Sequence, residues 1–236
     1  MLQYKKTKEK AMNESKYEKL NTVKAKGQLE SNQYVKFTYK GGDTKVLFVG
    51  NSITRHGIAP NIGWHWDWGM AASAEEKDYV HQTVRMLEEK GMKVDFAVAQ
   101  AAVWETRFDE DLVPLNEFYT TARDFCADVV IVRIGENMKK AILDQGKPYF
   151  DNMIRFFASN PNAKVIVTDS FWPHPIRDPF IKEICDERGY TFCKISDLGE
   201  DEKCMAIGLF EHKGVAAHPG DYGMEMIAKR IAELIP

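Results

Sequence analysis

From Lys45 onward the chain alternates between short apolar runs and longer stretches whose apolar side chains recur every three or four positions. The short runs are VLFVG (46 to 50), VDFAVA (94 to 99), DVVIVRIG (128 to 135), AKVIVTD (163 to 169) and, less strongly, YTFCKI (190 to 195). Their length and β-branched content predict strands, and their lack of a polar face predicts burial on both sides. Between them, helical spacing runs over 74 to 91, closed by Gly91, and over 109 to 126, 147 to 160 and 178 to 189. A last helix is predicted over 223 to 235. Strands alternating with helices imply an α/β domain with a mostly parallel sheet covered on both faces.

Residues 1 to 43 break this rhythm and read as an N-terminal extension, rich in Lys, Glu, Asn and Gly. Within it, NQYVKFTYKGGDT alternates enough to predict a short edge strand or hairpin ahead of Gly41 and Gly42. Residues 44 to 236 then form one domain, and 44% apolar side chains in 236 residues suffice for a single substantial core. The net charge is only -3, and the basic residues are dispersed apart from the N-terminal lysines. Such a surface offers no phosphate-tracking stripe, so nucleic acid is not an expected partner.

The four cysteines (Cys126, Cys185, Cys193 and Cys204) form no CxxC pair, which points to free thiols rather than a zinc ribbon or a disulfide framework. No apolar run is long enough for a membrane span and no signal peptide is legible, so a cytoplasmic location without a membrane partner is expected. No cofactor motif is present and no metal-ligand spacing can be justified, so none of either is expected.

In an open parallel sheet, ligands bind at the carboxyl ends of the strands. The segments to inspect are therefore GNSITRHG (50 to 57), AQAAVWE (99 to 105), GENM (135 to 138), DSFWPHP (169 to 175) and GVAAHPGDYG (214 to 223). Ser52 follows the first strand. As an isolated residue it reads first as part of a helix cap with Asn51 or Thr54; GNSIT lacks the glycine spacing and the lysine of a phosphate cradle, and a nucleophilic role requires a base within reach. Of the six histidines, His81 falls within a helix and His212 in a charged loop without an evident partner, while His56, His65 and His174 lie in strand-end loops. His218 stands in HPGDYGM, where Pro219 and Gly220 make a tight turn that can aim an imidazole across the strand ends. Asn137, after the third long strand, is placed to donate to an oxyanion or simply to cap its loop.

The order GNSIT, AQAA, GEN, HPGD resembles the SGNH hydrolase family, the GDSL-like esterases and lipases, over roughly residues 45 to 235. GNSIT is similar to the family's GDSxT block with Asn51 in place of its Asp. GEN matches the GxND block at Gly135 and Asn137, with Met138 in place of its Asp, and HPGDYGM matches HPxxxG at His218, Pro219 and Gly223. The resemblance implies a three-layer α/β/α sandwich, flavodoxin-like, with a five-stranded parallel sheet. It implies Ser52 as nucleophile, His218 as base, and an oxyanion hole from the N–H of Ser52, a second-block N–H at Ala101 or Gln100, and the Asn137 side chain.

Two positions depart from that pattern. The second block has no glycine, and Val215 occupies the place of the acid that supports the histidine. The alternatives are a backbone carbonyl that orients the ring, an acid from another loop (Glu105, Glu136, Asp169 or Glu211), or a protein without catalysis. Aromatic side chains crowd the same rim. Trp64, Trp66 and Trp68 alternate so that an extended segment turns them to one side, and Trp104 and Trp172 follow the second and fourth long strands. Beside Asp67, Arg107 and Arg177 they suit a polar, ring-bearing ligand, with Trp64, Trp104 and Trp172 as candidate contacts. The resulting expectation is an esterase for small acyl groups, acetyl above all, on a saccharide or similar polar alcohol. An O-acyltransferase using the same residues and a silent carbohydrate-binding protein are the alternatives.

Overall fold

The computed structural model describes residues 34 to 236, so most of the predicted N-terminal extension lies outside the described residues. Six strands form one sheet: β1 (Val35–Thr38), β2 (Thr44–Gly50), β3 (Val94–Gln100), β4 (Val129–Arg133), β5 (Lys164–Thr168) and β6 (Thr191–Cys193). Their order is β1-β3-β2-β4-β5-β6. Strands β2 to β6 are mutually parallel, as expected for five strands. The sixth, β1, pairs antiparallel with the outer edge of β3, Val35 opposite Ala99 and Thr38 opposite Phe96. It is the edge strand predicted from NQYVKFTYKGGDT. Its outward Lys36 pairs with Glu75 at 2.9 Å, a charged side chain of the kind that blunts an exposed sheet edge.

The helices are α1 (Tyr79–Glu89), α2 (Ala102–Thr106), α3 (Val113–Phe118), α4 (Thr120–Asp124), α5 (Gly146–Phe157), α6 (Arg177–Arg188), α7 (Lys213–Ala216) and α8 (Asp221–Glu233). Because strand side chains alternate between faces, the apolar runs feed two cores at once. Val46, Phe48 and Ile131 pack with Val84 and Leu87 of α1 and Ile227 and Ile231 of α8. Leu47, Val49, Val130 and Val132 pack on the other face with Leu115, Phe150, Ile154 and Ile181, which come from α3, α5 and α6. Three layers result. No helix among the described residues is long and apolar enough to cross a membrane.

Two elements depart from the periodicity. The helix expected over 109 to 126 is broken into α3 and α4, because Pro114 lacks an N–H and fits only a first turn, and Tyr119 interrupts at φ -125. The helix expected from residue 74 starts at Tyr79, where the Asp78 carboxylate accepts from the His81 N–H at 2.8 Å and caps it. The sheet order carries the functional consequence. The chain winds outward from β2 to β3 on one side and to β4, β5 and β6 on the other, which makes the carboxyl end of β2 a switch point where a crevice opens.

Candidate active site

Immediately after β2 the chain closes a tight turn, with the Asn51 carbonyl accepting from the N–H groups of Thr54 and Arg55, each at 2.9 Å. No helix follows, so the helix-cap reading of this segment does not apply. Thr54 instead shares a buried 2.8 Å hydrogen bond with the Tyr79 hydroxyl. Half-buried Ser52 sits on the turn, and among the described residues its N–H has no acceptor. Its Oγ lies 2.8 Å from Nε2 of His218, 166 positions away along the chain.

The geometry of His218 originates in α7. Ala217 N–H donates to the Lys213 carbonyl at 3.0 Å in helical register, but the next amide, of His218, donates to Val215 at 3.0 Å instead of reaching back to Gly214. That tightening leaves the Gly214 carbonyl open, and His218 Nδ1 sits 2.7 Å from it. A carbonyl can only accept, so Nδ1 carries the proton and Nε2 presents its lone pair to the Ser52 hydroxyl. Burial depresses the imidazole pKa to about 4 against the opposing pull of the Gly214 carbonyl, with Arg133 adding to the depression. The ring is therefore neutral near pH 7. Its backbone is fixed by Ala206, whose N–H donates to the His218 carbonyl at 2.9 Å.

None of the four candidate acids takes the second ring nitrogen. Asp169 accepts from the amides of Ile195 (2.6 Å) and Ser196 (3.0 Å), and Glu211 is exposed. Glu105 and Glu136 lie in a buried polar layer below the site. Val215 is buried in a small apolar cluster with Trp64, Met70, Ala71 and Ala206. The group at the second ring nitrogen is thus a backbone carbonyl and none of these acids.

The buried layer is the part the sequence did not disclose. Arg133, fully buried at the end of β4, donates to both oxygens of Glu136 at 3.0 and 2.9 Å and to the Asn51 carboxamide oxygen. Asn51 Nδ2 donates to Glu105 at 3.0 Å and Glu136 at 2.7 Å. Glu105 in turn accepts from the Gly135 amide at 2.7 Å, the Asn137 amide at 3.1 Å and Asn137 Nδ2 at 2.7 Å. Burial and the neighbouring Glu136 push the Glu105 pKa up. Glu136 is held down at about 2, because Arg133 and Arg177 outweigh its own burial. One visible signal existed: an arginine inside the otherwise apolar run DVVIVRIG.

The layer fixes Asn137. Its exposed carboxamide spends one of two amide hydrogens on Glu105, which leaves the other to point outward. The second-block donor needs correction, since the Ala101 N–H donates to the Gly50 carbonyl at 2.6 Å and is not free. Gln100 lies opposite Gly50 in the ladder, and its carbonyl accepts from the Tyr119 hydroxyl at 3.0 Å. The next amide, of Ala102, opens α2 and has no acceptor among the described residues. A segment read as loop is helical from this residue on, which moves the unpaired N–H by one position.

Two of the three candidate tryptophan contacts are also corrected. Trp64 and Trp104 are fully buried, the first in the small apolar cluster and the second in the main core, so neither reaches a ligand. Trp64, Trp66 and Trp68 do gather on one side, with ring centroids 5.1 to 6.0 Å apart, and only Trp66 is exposed. Trp172 is half-buried and meets the His218 ring edge-on at 5.1 Å. Beside the Ser52 turn, Tyr34, Arg55, His56, Gly57, Ile58 and Gln100 line a hollow of about 280 Å³.

No protein-family model matches the sequence, and no curated protein matches it. Solved structures do. A family 3 carbohydrate esterase from Clostridium thermocellum superposes with a TM-score of 0.55 at 20% identity, over 80% of this chain and 94% of that one. A protein described as a GDSL-like lipase, from Parabacteroides merdae, gives 0.54 at 16% identity, over 81% and 95%. A family two carbohydrate esterase from Clostridium thermocellum, in complex with cellohexaose, gives 0.51 at 14% identity, over 84% of this chain and 65% of that one. What these proteins share with the present chain is the layered architecture.

Proposed function

We propose that this chain, whose fold is that of the SGNH hydrolases, is a serine esterase that removes a small acyl group, acetyl foremost, from a saccharide or similar polar alcohol. One observation carries the reading: Ser52 Oγ and His218 Nε2 stand 2.8 Å apart while Nδ1 is tied to a carbonyl that forces the productive tautomer. In the proposed reaction Ser52 Oγ attacks the ester carbonyl as Nε2 takes its proton. The Gly214 carbonyl then steadies the imidazolium through Nδ1–H. It does so less strongly than a carboxylate would, because it bears only a partial charge. The oxyanion would accept from the free N–H of Ser52, the outward amide hydrogen of Asn137 and the N–H of Ala102. His218 returns the proton to the leaving alcohol, and water repeats the sequence to release the acid.

The open, polar surroundings favour a small acyl group over a long chain. Trp172, set against the His218 ring, offers a face for a sugar, and the carbohydrate esterases among the similar structures agree with that choice. The test is hydrolysis of p-nitrophenyl acetate and of acetylated xylo- and cello-oligosaccharides by the wild type and by Ser52→Ala and His218→Ala. Loss of either residue is expected to lower kcat by at least ~10³-fold, with a fluorophosphonate labelling Ser52 in the wild type only. Equal rates for all three proteins on every ester, without labelling, refute the reading.

A further inference from the structure

We infer that His212 is a positioning residue: its ring holds the one-turn helix that presents the Gly214 carbonyl to His218, and so sets the aim of the proposed base. Helix α7 has four residues, and its regular amide bonds, from Ala216 to His212 and from Ala217 to Lys213, are too few to sustain it alone. The start of the turn needs a partner for its own free amides. His212 supplies it, its Nδ1 accepting from the Val215 N–H at 3.3 Å. The loop assigned no partner from the sequence therefore contains a capped turn.

Position 214 shows how closely the ring is engaged. A Cβ added to Gly214 would stand 2.9 Å from Cε1 and 3.2 Å from Nδ1 of His212, so the imidazole lies directly against this residue and glycine is what permits it. The cap thus holds the N–H of the same peptide unit whose carbonyl receives His218 Nδ1–H, with the ring set against the Cα that precedes it. Val215, buried at 1% exposure, anchors the turn to the core independently, so loss of the His212 ring should loosen the carbonyl's direction without unfolding the loop.

The inference rests on the reading of Ser52 and His218 as the reacting pair, and its test separates the two. The full chain and its His212→Ala and His212→Asn variants would be compared by steady-state kinetics on p-nitrophenyl acetate and by NMR of the His218 Nδ1–H. His212→Ala is expected to lower kcat about five- to tenfold, the change that loss of an ordinary helix cap corresponds to, with KM unchanged. Its Nδ1–H signal should broaden through faster solvent exchange. His212→Asn, whose Oδ1 is a good cap acceptor, should restore both. Wild-type kinetics and an unchanged Nδ1–H in His212→Ala would overturn the inference, as would an Asn variant no better than Ala. If the wild type hydrolyses no ester, the proposed function fails while the Nδ1–H signal still decides the role of His212.

Discussion

Asn51 stands where the resembling family carries Asp, and restoring that residue by Asn51→Asp should damage this protein. The side chain is buried and donates to Glu105 at 3.0 Å and Glu136 at 2.7 Å while accepting from Arg133. A carboxylate there would face two others. At an effective dielectric constant of about 20, each contact near 3 Å repels by roughly 5 kcal/mol, and attraction to Arg133 cancels only one of them. The folded protein escapes by keeping a proton in the cluster. Holding a proton at pH 7 on a carboxyl whose unfolded pKa is about 3.9 costs about 4 kcal/mol, which caps the electrostatic loss. The sign is fixed by linkage. The introduced group has its folded pKa raised, so the penalty is absent below about pH 4 and grows by about 1.4 kcal/mol per unit as pH rises. Urea unfolding should therefore find Asn51→Asp about 4 kcal/mol less stable than wild type at pH 7 and about 1.5 kcal/mol less stable at pH 5. A loss below about 1 kcal/mol at pH 7, or one equal at both values, would show that the cluster is not arranged as described.

Other expectations follow from single contacts. With His218 depressed to about 4, kcat/KM should be flat from pH 8 down to about 5 and halve near 4, whereas an acid limb near 6.5 would contradict the half-buried, carbonyl-tied ring. The same depression makes the unfolded chain the better proton acceptor between about 6.5 and 4, so this group's share of stability is complete above that window and is lost as pH falls through it. Gly135→Ala places a side chain at φ +131, with its Cβ 2.7 Å from Arg177 Cδ, and should cost roughly 2 to 3 kcal/mol in thermal unfolding; an unchanged Tm would refute this. Trp172→Ala should raise KM for an acetylated oligosaccharide about fivefold and leave kcat within about threefold, and an unchanged KM would remove Trp172 from the substrate site.

The layers of the fold were legible because β2, β4 and β5 are apolar on both faces, a pattern that only a covered parallel sheet satisfies. The meeting of Ser52 and His218 was legible for a related reason: strand-end loops of such a sheet converge, however far apart they lie in sequence. The tryptophans were misread because the same side chain serves a rim or a core. Trp104 follows β3 as a ligand contact would, yet from its place in α2 it turns into the main core. The Ala101 donor was misread because hydrogen-bond partners are invisible in one dimension, and nothing in AQAAVW tells that the Ala101 amide closes onto Gly50.

Val215 is the most instructive position, because it stands where the resembling family carries an acid, and a backbone carbonyl lies at the ring nitrogen that such an acid would meet. With an aliphatic side chain the segment before His218 can turn inward and join Trp64 and Ala206 in an apolar cluster, which a carboxylate could enter only at the cost of its hydration. Burying that side chain draws α7 into a short turn, and the turn closes at His218 on Val215 rather than on Gly214. Val215 is thereby part of the turn that frees a carbonyl 2.7 Å from Nδ1. Introducing an acid by Val215→Asp would consequently place a charge in the apolar cluster and disturb the carbonyl that holds Nδ1. It should lower rather than raise esterase turnover, and a gain in kcat would mean that the turn is adaptable and the carbonyl dispensable.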